Sequence, residues 1–125
     1  ESVPTLYKRL RRYLFHKPIT LQYSKYVKEA TSFFKRNRSI VPCLIPNFDH
    51  SPRSSYYGLI MENSTPQKWQ DFCQNIKELE DSVTDRESLI FIKAWNEWGE
   101  GNYMEPDLKY GKGYINATYK IFACK

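Results

Sequence analysis

Cysteine is scarce in this 125-residue chain: Cys43, Cys73 and Cys124 are the whole supply, an odd count without the paired spacing of a metal site. Cys43 lies in an apolar run and Cys73 on an apolar helical stripe, so both read as buried thiols, a usage that fits a reducing, cytoplasmic compartment. Histidine is scarcer still. His16 and His50 have no partner at the spacing of a triad or a zinc cluster. A Gly-rich phosphate loop and a Gly-x-Ser-x-Gly elbow are both missing, which removes P-loop chemistry and the nucleophile elbow. No run of about 18 apolar residues exists, so no stretch can cross a membrane as an apolar helix, and no signal-peptide core is visible. Repeats, low-complexity tracts and linkers are absent as well. So is an initiator Met: Glu1 opens in mid-pattern, and the chain reads as one partial domain, 1–125, of a longer protein.

What is present is charge, aromatic surface and helical periodicity. The net charge of +5 is uneven. Residues 1–40 hold ten Lys/Arg against two acids, a local +8, and residues 41–125 hold nine against twelve, a local −3. The cluster Lys8, Arg9, Arg11, Arg12 and Lys17 suits a solvated helix face, a peripheral contact with an anionic membrane surface, or an anionic sugar nucleotide. No nucleic-acid motif accompanies it, and nucleic acid is not expected as a partner. Aromatics make up 16% of the residues, ten of them Tyr, more than packing alone requires.

The apolar period predicts helix, strand, helix, strand, loop and helix. Tyr23, Tyr26, Val27, Ala30, Phe33 and Phe34 share one face of a helix expected from Thr20 to Arg36. A short strand is expected over Ile40 to Ile45, where Pro42 argues against a regular central strand. Thr65 as N-cap and Pro66 at the first helical position start a helix whose stripe is Trp69, Phe72, Cys73, Ile76 and Leu79. Leu89 to Ile92 is apolar without alternation, as in a parallel strand covered on both faces. A last helix runs from Tyr114 to Ala123, with Ile115, Thr118, Ile121 and Phe122 inward. About two parallel strands and three or four helices predict an α/β piece of a larger domain.

Residues 94–107, Ala-Trp-Asn-Glu-Trp-Gly-Glu-Gly-Asn-Tyr-Met-Glu-Pro-Asp, follow that second strand directly. In parallel α/β architectures, chemistry collects where strands end. A second polar cluster, Pro46 to Arg53, follows the first strand, so Asp49, Arg53, Glu97 and Glu100 are expected on one rim. Acids three apart in a helical turn have Cβ atoms about 5–6 Å apart. That overlaps the roughly 5–5.5 Å carboxyl spacing of retaining glycosidases and falls short of the roughly 6.5–9.5 Å of inverting ones. Two such acids, partly desolvated by Trp95 and Trp98, should have their proton affinities driven apart, one acting as base and the other carrying a proton. The same residues also allow plainer roles: loop acids meeting caps or arginines, tryptophans in a core, Asp49 and Arg53 bracing each other. Asn96, Asn102, Glu105 and Asp107 could supply oxygen ligands, but the EF-hand spacing is absent, and no metal or other cofactor is expected.

The stretch from Trp95 to Asp107, followed by Tyr110-Gly111-Lys112-Gly113-Tyr114-Ile115, resembles the C-terminal signature of the WbsX family. These are glycosyltransferases encoded in O-antigen and other surface-polysaccharide clusters, also described as glycoside hydrolase family 99-like. Phe48-Asp49-His50-Ser51-Pro52-Arg53 is similar to the family's Trp-Asp-Asn-Thr-Pro-Arg segment, and the resemblance covers residues 19–123. It implies the C-terminal half of a (β/α)8 TIM-type barrel acting on a glycan or sugar nucleotide. It also implies Glu97 as the base on a sugar 2-hydroxyl and Glu100 as acid/base, with Trp95, Asn96, Trp98, Tyr103, Glu105, Asp49 and Arg53 around the substrate. Gly99 departs from the His of the hydrolases and the usual Ala of WbsX proteins, Phe48 replaces Trp and His50 replaces Asn. The alternatives are a family 99-like endo-glycosidase and a non-catalytic glycan-binding fragment.

Overall fold

The computed structural model describes Tyr7, Leu10 and residues 12–123. Lys8, Arg9 and Arg11 of the basic cluster, and Cys124, lie outside the described residues. Two parallel ladders organise the rest. β1 (Ile19–Gln22) pairs with β3 (Leu59–Glu62), Ile19 opposite Leu59 and Gln22 opposite Glu62. β2 (Cys43–Leu44) pairs with β4 (Phe91–Ile92), Leu44 opposite Ile92. A third, antiparallel pair joins β5 (Asn96–Glu97) to β6 (Asn102–Tyr103). Between them run α1 (Tyr23–Arg36), the single-turn α2 (Ser51–Ser54), α3 (Pro66–Asp81) and α4 (Gly113–Phe122). This is a mixed α/β arrangement with short parallel pairs, as expected of a partial α/β domain.

Helix α3 forms where its start signals place it. Thr65 is the N-cap, its side chain accepting from Lys68 N at 3.3 Å, and Pro66 opens the first turn. The apolar stripe is the middle of the core: Trp69, Phe72, Cys73 and Ile76 are fully buried, with Leu44, Met104, Tyr114 and Ala117. Tyr26, Val27, Ala30 and Phe34 of α1 pack against that cluster from the other side. Trp69 Nε1 donates to Thr118 Oγ1 at 2.8 Å, which satisfies the one polar atom the stripe buries. Tyr23 is likewise buried and donates to the Ile45 carbonyl at 2.9 Å; burial holds its phenol well above the ordinary range.

Several expectations are corrected. Thr20 to Gln22 is strand, not helix, because its hydrogen bonds go to a segment 40 residues on; helix α1 starts at Tyr23. Leu59 to Glu62, its partner, carries no alternation that marks it as a strand. The strand expected over Ile40 to Ile45 shrinks to Cys43–Leu44, and Pro42 contributes a carbonyl that accepts from Phe91 N at 2.9 Å. The stretch Leu89–Ile92 is not covered on both faces, with Leu89 47% and Phe91 56% exposed. Cys43 is exposed, whereas Cys73 is buried as expected. In α4 the inward face turns on Tyr114 and Ala117, and Phe122 is exposed.

A buried ion pair went unread in the sequence. Glu80, 3% exposed, takes both nitrogens of the Arg86 fork at 2.7 and 2.9 Å, and Arg86 also donates to the Arg38 carbonyl at 3.2 Å. That fork ties the end of α3 to the approach of β4. No helix among the described residues is long and apolar enough to cross a membrane.

Candidate functional site

The double-Trp, double-Glu segment follows β4 and folds as a tight hairpin. β5 ends at Glu97, a 3-10 turn over Trp98–Glu100 follows, Gly101 sits in the left-handed region at φ 51°, and β6 returns. A 3-10 turn has about three residues per revolution, so side chains at i and i+3 eclipse. Glu97, capping the turn, and Glu100, closing it, are therefore neighbours. Both reach one guanidinium: Arg53 Nη2 is 3.6 Å from Glu97 Oε1, and Arg53 Nη1 is 3.4 Å from Glu100 Oε1. Lys93 Nζ is 3.3 Å from Glu100 Oε2, and His50 Nε2 is 3.7 Å from Glu100 Oε1.

These contacts distinguish the two acids. Glu100 is the more enclosed, its side chain 19% exposed beside three basic groups, while Glu97 is 43% exposed beside one. A guanidinium between the carboxylates offsets their mutual repulsion, which the sequence pattern alone left uncompensated. The pairs are long compared with about 2.7–2.9 Å for a strong charge-assisted bond, and Arg53 is 58% exposed. Exposed pairs of this kind contribute about 0–1 kcal/mol. A ligand can displace them.

Arg53 arrives through α2. Asp49 Oδ1 accepts from Ser51 N at 2.9 Å and Ser51 Oγ at 2.6 Å, which starts the short helix, and the His50 carbonyl accepts from the amides of Arg53 and Ser54. Asp49 and Arg53 thus do not brace each other: Asp49 builds the turn, and Arg53 crosses to the acids. Asp49 N donates to the Glu100 carbonyl at 2.7 Å, joining the loops after β2 and β4. The join is close. A Cβ on Gly101 would lie 2.9 Å from Asp49 Cβ, and one on Gly99 would lie 3.0 Å from Arg53 Nη2. Gly101→Ala adds that clash to a backbone that side chains rarely adopt, and should cost about 1–3 kcal/mol. A thermal melt superimposable on that of the parent would show that the loops are not in contact.

The aromatic residues divide. Trp98 stacks on Tyr103, ring centroids 3.8 Å apart and planes 12° from parallel, and its Nε1 donates to Glu105 Oε2 at 2.6 Å. Trp95 is 52% exposed, with its carbonyl accepting from the Met104 and Glu105 amides. Neither tryptophan is a core residue. Asn96 is exposed on β5, and Asn102 is buried, donating to the Asn47 carbonyl at 3.0 Å. Tyr103 donates through its hydroxyl to Asp107 Oδ2 at 3.1 Å, and burial followed by that contact raises its phenol above the ordinary range. Asp107 Oδ1 accepts from the amides of Lys109 and Tyr110, so Glu105 and Asp107 are committed to different partners. The sequence reading missed Lys93 and His50 as neighbours of Glu100. Their only local signal is position, directly after the second strand and inside the 46–53 cluster.

An α/β scaffold with an acidic, aromatic-walled hairpin where its parallel strands end is the class the fold and site define. The chain belongs to the family described as Glycosyltransferase WbsX, whose sequence pattern it matches over residues 2–118. It is also similar to the uncharacterized protein WxcX of Xanthomonas campestris pv. campestris, strain B100, and to that of strain ATCC 33913. Each is 31% identical over 84 residues, 66% of this chain. The matched stretch is 12% of the length of either relative. No solved structure matches the chain.

Proposed function

We propose that this protein transfers glycosyl units in the assembly of a surface polysaccharide, using Glu97 and Glu100 as its proton-handling pair. The observation that carries the reading is the shared guanidinium: a 3-10 turn and a single-turn helix from another loop set both carboxylates on Arg53, at 3.4 and 3.6 Å. Two acids this close to one cation, half open to solvent, form a site a sugar can enter by displacing weak contacts. Trp95 offers an uncovered indole for a pyranose face, and Asn96 and Glu105 offer hydrogen bonds at its edge. Glu97, the more open acid, takes the base role and draws a proton from a sugar hydroxyl. Glu100 handles the proton of the leaving or attacking oxygen. Lys93 and Arg53 provide positive charge where an anionic leaving group would depart.

Transfer and hydrolysis differ in whether a sugar hydroxyl or water attacks, and the family description favours transfer. The test supplies sugar nucleotides together with glycan acceptors and follows products by mass spectrometry. Elongated glycan with released nucleotide is the expected result. Transfer that persists undiminished after combined Glu97→Gln and Glu100→Gln replacement removes the assignment, and shortened glycans without elongation move it to a hydrolase.

A further inference from the structure

Gly101, next to Glu100 in the hairpin, borders a cleft of about 320 Å3 whose lining does not include Glu97 or Glu100. Its walls come from β3 and the segments after β2, β3 and β4: Asn47 to Asp49, Ile60 and Met61, Asn63 and Ser64, and residues between Gly101 in the hairpin and Tyr114 at the start of α4. We infer that this cleft is a binding subsite for a neutral saccharide ring, adjoining the carboxylate pair and separate from it. The inference rests on the glycan reading above and adds where a second sugar sits.

The lining carries the claim. Tyr103, Tyr110 and Phe48, all partly exposed, give ring surface, the usual partner of the C–H face of a pyranose. Asn63, Asp49 and Lys109 add donors and acceptors at the rim. Asp49 commits only Oδ1 to Ser51 among the described residues, leaving Oδ2 as an acceptor. The Tyr114 phenol, pushed up to about 12 by burial, stays a neutral hydroxyl and meets Ser64 Oγ at 2.8 Å. The formal charge of the lining is one cation, Lys109, against two carboxylates, Asp49 and Asp107. A net negative cleft disfavours phosphate and uronate groups and favours uncharged hydroxyls. Size agrees: ligand pockets run from roughly 300 to 1,000 Å3, so this one suits one or two sugar rings rather than a whole sugar nucleotide. Tyr103 lines the cleft while stacking on Trp98 of the acidic turn. Lys93 and Arg53 gather around Glu100 and are not part of the cleft's lining. Their charge suits an anionic donor, whereas the cleft bordered by Asp49 and Asp107 suits a neutral acceptor.

The test is a titration of the 15N-labelled protein with methyl α-D-mannopyranoside, methyl α-D-glucopyranoside and, as an anionic counterpart, glucose 1-phosphate. A neutral glycoside should shift the amides of Asn63, Ser64 and Lys109 saturably, and glucose 1-phosphate should bind there about tenfold more weakly. Asn63→Gly is the matched variant, because Asn63 already has φ 61° and glycine adopts it without strain. That variant and Lys109→Ala should each weaken neutral binding about threefold to tenfold, the worth of one hydrogen bond. Shifts confined to Trp98 and Glu100 overturn the inference while leaving the glycan reading in place. Equal binding of the anionic sugar in the cleft also overturns it, as does the lack of any saturable shift with all three probes. In both cases the transfer assay judges the glycan reading independently.

Discussion

Replacement of Glu100 by Gln should lower glycosyl turnover about 10²–10⁴-fold, the usual worth of a positioned acid or base, while glycan binding is largely kept. The side chain is isosteric, so the loss is one of charge and proton capacity. Its three basic neighbours stand at 3.3, 3.4 and 3.7 Å, and none makes a short bond. Losing them should change folding stability little, about 0–1 kcal/mol per exposed pair. The backbone of Glu100 is untouched, and its carbonyl still accepts from Asp49 N, so the loops stay joined. A steady-state assay beside a thermal melt separates the effects: kcat should collapse with the melt nearly unmoved. Wild-type turnover in the variant would remove Glu100 from the chemistry. A collapse of both would make it a structural ion-pair residue.

The largest effect on stability is expected at Trp69. Trp69→Ala should cost about 3–5 kcal/mol, the range for deleting a fully buried large aromatic. Trp69 is 0% exposed at the start of the α3 stripe, in one buried cluster with Phe72 and the α4 residues Tyr114 and Ala117. The cost is chiefly the cavity, because Thr118 Oγ1 keeps its bond to the Tyr114 carbonyl at 2.8 Å when the indole donor is gone. Against a typical total of about 5–15 kcal/mol, the loss is a large fraction. Trp69→Phe keeps most of the ring volume and should lose clearly less. Denaturant unfolding at constant slope measures both, and a loss under about 1 kcal/mol for the alanine variant would mean that α3 and α4 are not packed as described.

The core and the site were legible to different extents. Trp69, Phe72, Cys73 and Ile76 show the helical period openly, and Thr65-Pro66 marks where their helix begins, because capping and periodicity are settled within a few residues. Glu97 and Glu100 were readable as a pair for the same reason: three positions apart in one turn is a local fact. Arg53 was readable as a rim residue and not as the group between them, since it sits 44 and 47 positions away. Lys93 and His50 gave no pattern at all. Strands β1 and β3 were missed because four residues without alternation declare themselves only through each other.

The order of residues by itself determined the helices of the core, the acidic pair with its neighbouring rings, and membership of a family, all consequences of spacing along a short stretch of chain. Tertiary structure alone decided that the acids and residues 102–103 fold as a hairpin, that Arg53 bridges the acids, that Trp98 stacks on Tyr103, that Cys43 is exposed, and that Gly101 borders a cleft. The physical reason is distance along the chain. Parallel pairing, ion pairs between loops and the walls of a cavity form between segments tens of residues apart, and their partners are fixed only when the core brings those segments together.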